Sequence, residues 1–240
     1  MRGIEAMVLL TLLGFGGCLE IEQTVTLRAD GSGEQQVHMV VREQLLAELQ
    51  KRQPAVRLSQ GGDPRAVFDE EMVRRELAAA GLEMQKHEVT RVEAMRAVDL
   101  TATFADFRTL QKSPLAGSSA EWVLDEGPKP GLARLTFYPQ GKEAWLTARA
   151  KAKQMKGQHD PLVERFFQQQ KSKLAGLDVA LRLRLPGKVY LWTRNLEKVS
   201  DTEVVGRVTA AQIKTPNDLI RRLAPRYQVV FDARGTALLE

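Results

Sequence analysis

The chain of 240 residues has one cysteine, three histidines and only 6% aromatic residues. A single cysteine cannot form an intramolecular disulfide or a thiolate metal site. The histidines, His38, His87 and His159, are too far apart for the ligand spacing of a zinc motif. The sequence also has no Gly-x-Ser-x-Gly element and no Gly-x-Gly-x-x-Gly loop. We therefore expect no catalytic residues, no metal, no cofactor and no enzymatic activity.

Long hydrophobic runs are also lacking. The longest apolar segment, residues 6–17, has about a dozen residues, whereas a transmembrane helix needs roughly 20. Its length is that of the apolar region of a secretory signal peptide. The segment ends in Gly14, Gly16 and Gly17, and Cys18 follows directly. A buried free cysteine in an ordinary N-terminal helix is the alternative interpretation.

Residues 15–18, with the sequence Phe-Gly-Gly-Cys, resemble the lipobox of bacterial lipoproteins. In that family the cysteine thiol becomes a diacylglyceryl thioether, the signal peptide is removed, and the new amino group is acylated. The resemblance implies a signal peptide at 1–17, lipidation of Cys18, and a single periplasmic domain at 18–240 that is anchored in the bacterial cell envelope. Since Leu19 and not an aspartate follows the cysteine, the resemblance favours the outer membrane.

Alternating apolar and polar residues predict strands along much of the chain. These segments are 19–28, 37–41, 82–104, 122–124, 132–138, 177–185, 189–193, 204–208 and 227–231. Helical spacing and N-cap residues predict helices at 42–53, 69–80, 141–174 with a break at Gly157, and 215–223. Short turns between neighbouring strands favour antiparallel pairing. The pattern predicts an α+β fold, with an antiparallel, hairpin-rich sheet and helices packed on one face.

The turn Asp30-Gly31-Ser32-Gly33 and the segment 185–189 with the nearby Asn195 resemble the LppM-like domain lipoproteins. The resemblance implies an α+β envelope domain that contacts lipid or glycolipid. It implies no catalytic residue.

The region 142–173 has eight Lys or Arg residues and three acidic residues. Each cation close to an anionic bilayer contributes about 1 kcal/mol of binding free energy. The region is therefore a candidate membrane-binding surface. A solvated helix face is the alternative interpretation. The basic surface candidates are Lys142, Arg149, Lys151, Lys153, Lys156, Arg182 and Arg184.

Four apolar residues with helical spacing, Leu162, Val163, Phe166 and Phe167, form a stripe in the same region. Such a stripe either covers a sheet or closes a pocket in which an acyl chain lies.

These features predict a membrane-anchored envelope lipoprotein that binds lipid or an anionic membrane surface. The alternative is a structural or assembly module that docks on another envelope protein through its sheet edge or through Arg182 and Arg184. We expect no nucleic-acid partner in spite of the pI near 9.4, because no nucleic-acid-binding motif is present.

Overall fold

The computed structural model describes residues 19–52, 65–155 and 160–239. The signal peptide at 1–17, Cys18, the break at Gly157 and the basic candidate Lys156 lie outside the described residues. Within those ranges the chain forms eleven strands and six α-helices. The strands are β1 (Leu19–Leu27), β2 (Gly33–Arg42), β3 (Glu83–Val92), β4 (Met95–Phe104), β5 (Glu121–Glu126), β6 (Leu132–Tyr138), β7 (Leu177–Arg184), β8 (Val189–Trp192), β9 (Glu197–Lys198), β10 (Glu203–Thr209) and β11 (Tyr227–Asp232). The helices are α1 (Glu43–Arg52), α2 (Glu70–Ala79), α3 (Phe107–Gln111), α4 (Gly141–Gln154), α5 (Pro161–Lys171) and α6 (Pro216–Leu223).

The predicted α+β fold is confirmed. The strands form a large sheet in the order β3-β4-β2-β1-β7-β10-β9 and a small sheet in the order β5-β6-β11-β8. All pairs are antiparallel except β1 and β7, which run parallel from Leu19 opposite Leu177 to Thr26 opposite Arg184. The prediction of one antiparallel sheet was therefore incomplete. Turn residues predict the pairing of strands that follow one another in the sequence. They do not predict the pairing of β1 with β7, which are far apart in the sequence.

The main hydrophobic core joins the two sheets. Leu183 and Val204 of the large sheet are buried, as are Leu135 and Phe231 of the small sheet. The other face of the large sheet is mostly polar, because Asp178, Arg182 and Arg184 on β7 and Glu203, Arg207 and Thr209 on β10 alternate with the apolar residues.

A second, smaller core lies at one end of the large sheet. It consists of Phe167 from α5, Leu174, and Ile213 just before α6, and Leu177 and Val208 pack against it. This core attaches α5 and α6 to the sheet.

The helices begin at the capping residues that the sequence predicts. The Asp69 carboxylate accepts a hydrogen bond from the backbone N–H of Met72, and that of Asp160 accepts one from Leu162. Thr215 and Asp218 form a reciprocal capping box at the start of α6. In the described ranges no helix combines the length and the apolar character that crossing a membrane requires.

Candidate functional site: the helical layer

The end of the large sheet at which β1 begins is defined by one backbone contact. The N–H of Leu19 donates to the carbonyl oxygen of Gly176 at 3.3 Å. Gly176 immediately precedes β7, which runs parallel to β1, and the antiparallel β10 finishes here with Thr209 opposite Asp178. The chain that precedes residue 19 therefore joins the fold at this end, which we call the anchor end.

Three helices form a layer that includes the anchor end. Helix α5 continues through the short 3-10 segment Ser172–Leu174 to Gly176, and the small core fixes it beside α6. Helix α4 packs against α6. We call α4, α5 and α6, together with the residues that flank them, the helical layer.

The predicted apolar stripe is divided by the fold. Phe167 is buried in the small core, with 3% of its surface exposed. Leu162 and Phe166, one helical turn apart, are 77% and 55% exposed, and Val163 is 36% exposed. A cavity of about 490 Å³ between α1 and Phe68 is lined by other residues. Three of the four stripe residues thus face solvent, and an acyl-chain pocket at these positions stays a prediction.

Three of the four cations of helix α4 lie on one stripe. Lys142, Leu146, Arg149 and Lys153 are spaced by four, three and four residues, which places them on the same side of the helix. All four are exposed, including half of the Leu146 side chain. Lys151 is exposed on another side.

The cations of the helical layer have no ion-pair partner within the part of the chain that the structure describes. This holds for Lys142, Arg149, Lys151, Lys153, Arg165, Lys171, Lys214, Arg221, Arg222 and Arg226. Their charge is therefore available to an anionic partner.

The two basic candidates on β7 differ from those on α4. Arg182 hydrogen-bonds to Glu203 and, at 3.2 Å, to Glu22, while Arg184 Nε donates to Glu203 at 3.0 Å. Burial raises the pKa of Glu203, but the hydrogen bonds from the two arginines outweigh it and hold this pKa below its ordinary value. The hydrogen bond to Glu203 likewise raises the pKa of Arg182. Arg182 and Arg184 are thus neutralised within the sheet, and the structure does not bring them together with the free cations of the helical layer.

Sequence reasoning missed the basic residues of the layer beyond residue 173, which are Lys214, Arg221, Arg222 and Arg226. Arg226, which follows α6, places its guanidinium carbon 4.6 Å from the ring centre of Trp145 on α4. The guanidinium carbon of Arg149 lies 5.5 Å from the same ring centre. The basic segment Arg221–Arg222–Arg226 was the available signal, but the charge count stopped at residue 173.

The two described histidines have structural partners. His38 Nδ1 lies 2.8 Å from Asp99 Oδ1 on the neighbouring strand, and His87 Nε2 lies 2.8 Å from the carbonyl oxygen of Val67. Among residues 19–52, 65–155 and 160–239, no cluster of three or more His, Cys, Asp or Glu side chains could hold a metal ion.

Comparison with known proteins shows a structural likeness but no match in sequence. No protein-family model matches the chain, and no curated protein sequence matches it. Among solved structures, the chain is similar to the NMR structure of the folded domain of Mycobacterium tuberculosis LppM. The TM-score is 0.43 and the identity 12%, over 91% of each chain. The sequence motifs resemble the same kind of domain, and membership of a family stays a prediction.

Proposed function

We propose that the chain is a non-enzymatic lipoprotein of the cell envelope, and that its helical layer binds an anionic membrane surface. The observation that carries this proposal is the contact between Leu19 and Gly176. A lipid attached at Cys18 would leave almost no tether before β1. It would hold the anchor end, with α5, against the bilayer.

The charge of the helical layer supports the proposal. Ten Lys or Arg residues of the layer lack an ion pair among the described residues, and only four acidic residues accompany them in α4, α5 and α6 and their flanks. The acidic residues are Glu143, Asp160, Glu164 and Asp218. Because anionic head groups attract each nearby cation by about 1 kcal/mol, a few of these side chains suffice for measurable binding at low salt.

Exposed apolar side chains supply the second part of the interaction. Leu146 on α4 and Leu162 and Phe166 on α5 are each at least half exposed. Apolar side chains beside Lys and Arg are typical of helices that lie in the head-group region of a bilayer. Burial of one such side chain contributes about 1.5–3 kcal/mol when it is complete.

The test is cosedimentation of a chain lacking residues 1–18 with lipid vesicles. Both sheets begin after this segment, and circular dichroism would verify that the shortened chain folds. We expect binding to anionic vesicles, weakening as salt is added, and little binding to zwitterionic vesicles. The double substitution Leu162→Ser and Phe166→Ser should weaken binding by about tenfold or more.

A matched control separates this effect from a general loss of apolar surface. Leu191 and Val199 are 56% and 57% exposed, and Val199 lies beside the start of β10, at the opposite end of the large sheet. Leu191→Ser with Val199→Ser should leave vesicle binding unchanged. Equal losses for both double variants, or no binding to anionic vesicles at low salt, would rule out the proposed surface.

Docking on another envelope protein is the second candidate. The ten-residue strand β3 favours it, because β3 pairs only with β4 among the described strands and most of its residues are exposed. An unpaired strand edge is a template for a strand of a partner. A photo-crosslinking residue at Thr90 should capture a defined envelope protein in cells, and the same residue at Gln169 on α5 should not.

Reversal of charge at Arg182 and Arg184 tests docking through the polar face of the large sheet. Loss of the captured partner with vesicle binding intact would favour docking.

A further inference from the structure

Two arginines converge on one indole ring at the junction of α4 and α6. The guanidinium carbons of Arg149 and Arg226 lie 5.5 Å and 4.6 Å from the ring centre of Trp145, so they are at most about 10 Å apart. The ring of Tyr138 lies 5.6 Å from Trp145 at an angle of 54°. Tyr138 is buried, so it holds the indole in place from the side of the core.

This pair of like charges has no carboxylate to neutralise it in the described ranges. Neither Arg149 nor Arg226 forms an ion pair there, and Arg226 is only partly exposed. Glu143 on α4 lies on the far side of the helix from Trp145. The carboxylate of Glu121 accepts a hydrogen bond from the backbone N–H of Lys142. A third cation, Arg222, interacts electrostatically with the hydroxyl group of Tyr227, the residue that follows Arg226 in the sequence.

We propose that Arg149 and Arg226, positioned by Trp145, form a binding site for a phosphate group. A guanidinium donates two parallel hydrogen bonds to phosphate oxygens, and two guanidiniums match the charge of a phosphate dianion. Cation–π contact with the indole restricts both side chains before the ligand arrives, which lowers the entropic cost of binding.

The phosphate has two possible sources, a lipid head group or a free phosphate compound. The lipid form of this inference rests on the proposed membrane function and deepens it, since one head group would then bind at a fixed position of the helical layer. Binding of a free phosphate compound at this site does not require membrane binding.

The experiment uses the full chain in a non-ionic detergent without phosphate, with its tryptophan residues labelled with nitrogen-15. Inorganic phosphate is titrated at constant ionic strength, with chloride as the reference anion, while NMR follows the three indole N–H signals. We expect a saturable shift of the Trp145 signal, and no comparable shift of the signals of Trp122 and Trp192. Arg149→Gln or Arg226→Gln should raise the dissociation constant by about tenfold or more.

A control variant removes the same charge as Arg149→Gln from another side of the same helix. Lys151→Gln should change the dissociation constant by no more than about twofold, because a charge effect without direct contact is screened by salt. A similar loss in this control, or no saturable shift of Trp145, would overturn the phosphate site and leave the arginines as a structural clamp on the indole.

Vesicles then identify the source of the phosphate. Phosphatidylglycerol vesicles are compared with vesicles whose charge comes from fatty-acid carboxylates. A selective loss of phosphatidylglycerol binding in Arg226→Gln indicates a lipid phosphate, and an unchanged preference indicates a free phosphate compound. Phosphate binding without any vesicle binding would contradict the proposed function alone, whereas vesicle binding without a Trp145 shift would contradict this inference alone.

Discussion

The ring of Tyr227 in the small sheet lies directly against the backbone of Gly206 in the large sheet. A Cβ atom at position 206 would come within 2.4 Å of Tyr227 Cε1 and 3.1 Å of the carbonyl oxygen of Asn195. The ring of Tyr227 is also stacked with the ring of Phe137, and the two ring centres lie 6.4 Å apart. Only a residue without a side chain allows this approach, so Gly206 sets how closely the two sheets pack.

Gly206→Ala should therefore lower the free energy of unfolding by about 1–3 kcal/mol, because the added methyl group overpacks the contact between the sheets. Urea denaturation measures the change. In a double-mutant cycle, Tyr227→Leu should relieve part of the cost, so the double variant should lose less than the sum of the two single changes. Additive losses would show that the ring is not the obstacle.

Glu203→Gln should lower the free energy of unfolding at pH 7 by about 1–3 kcal/mol, because it removes charge-assisted hydrogen bonds to Arg182 and Arg184. The Glu203 side chain is only 16% exposed. Its pKa is lowered in the folded state, so the stabilisation is complete above the unfolded-state pKa of about 4.3 and is lost as the pH falls through the folded-state pKa.

Urea denaturation of the wild type and of Glu203→Gln at pH 7 and pH 3 tests whether this stabilisation is lost on acidification. The difference between the two proteins should shrink at pH 3. Glu197→Gln is the control, since Glu197 is exposed on the neighbouring β9 and has no ion pair among the described residues. A difference that grows with acidity would contradict the interpretation of the pKa.

Thr215→Ala should cost about 1 kcal/mol of stability, because it removes one half of the capping box of α6. The Thr215 hydroxyl oxygen accepts from the N–H of Asp218 at 3.1 Å, and Asp218 Oδ2 accepts from the N–H of Thr215 at 3.0 Å. Hydrogen exchange should accelerate first in α6. Thr147→Ala, at an exposed position inside α4, should cost nothing and serves as the control.

Cys18→Ser should abolish lipidation and leave the signal peptide at 1–17 attached, because the thiol is the acceptor of the diacylglyceryl group in the family that the lipobox resembles. Intact-mass measurement of the membrane fraction tests this expectation. The wild type should start at residue 18 and carry the added lipid mass. A wild-type chain with an unmodified thiol and an intact N-terminus would refute the lipoprotein interpretation.

Local patterns in the sequence predict the individual elements well. Asp69 and Thr215 mark the starts of helices, and the alternation in residues 177–185 marks β7. The arrangement of these elements depends on pairings between distant residues. Arg184 lies opposite Glu203, but without the register of β7 and β10 the sequence shows only an arginine on a polar face. Because this strand register is not visible in the sequence, Arg182 and Arg184 were grouped with the unpaired cations of α4.

The parallel pair of β1 and β7 constrains how the chain can fold. Leu19 meets Leu177 only after most of the polypeptide has emerged, although β1 and β2 can form their hairpin at once. Until then one edge of β1 remains open to mispairing with other chains. Contacts of such sequence separation also slow folding. A chaperone that shields the emerging N-terminal hairpin would therefore raise the yield of folded protein, and fragments that stop before residue 177 should aggregate.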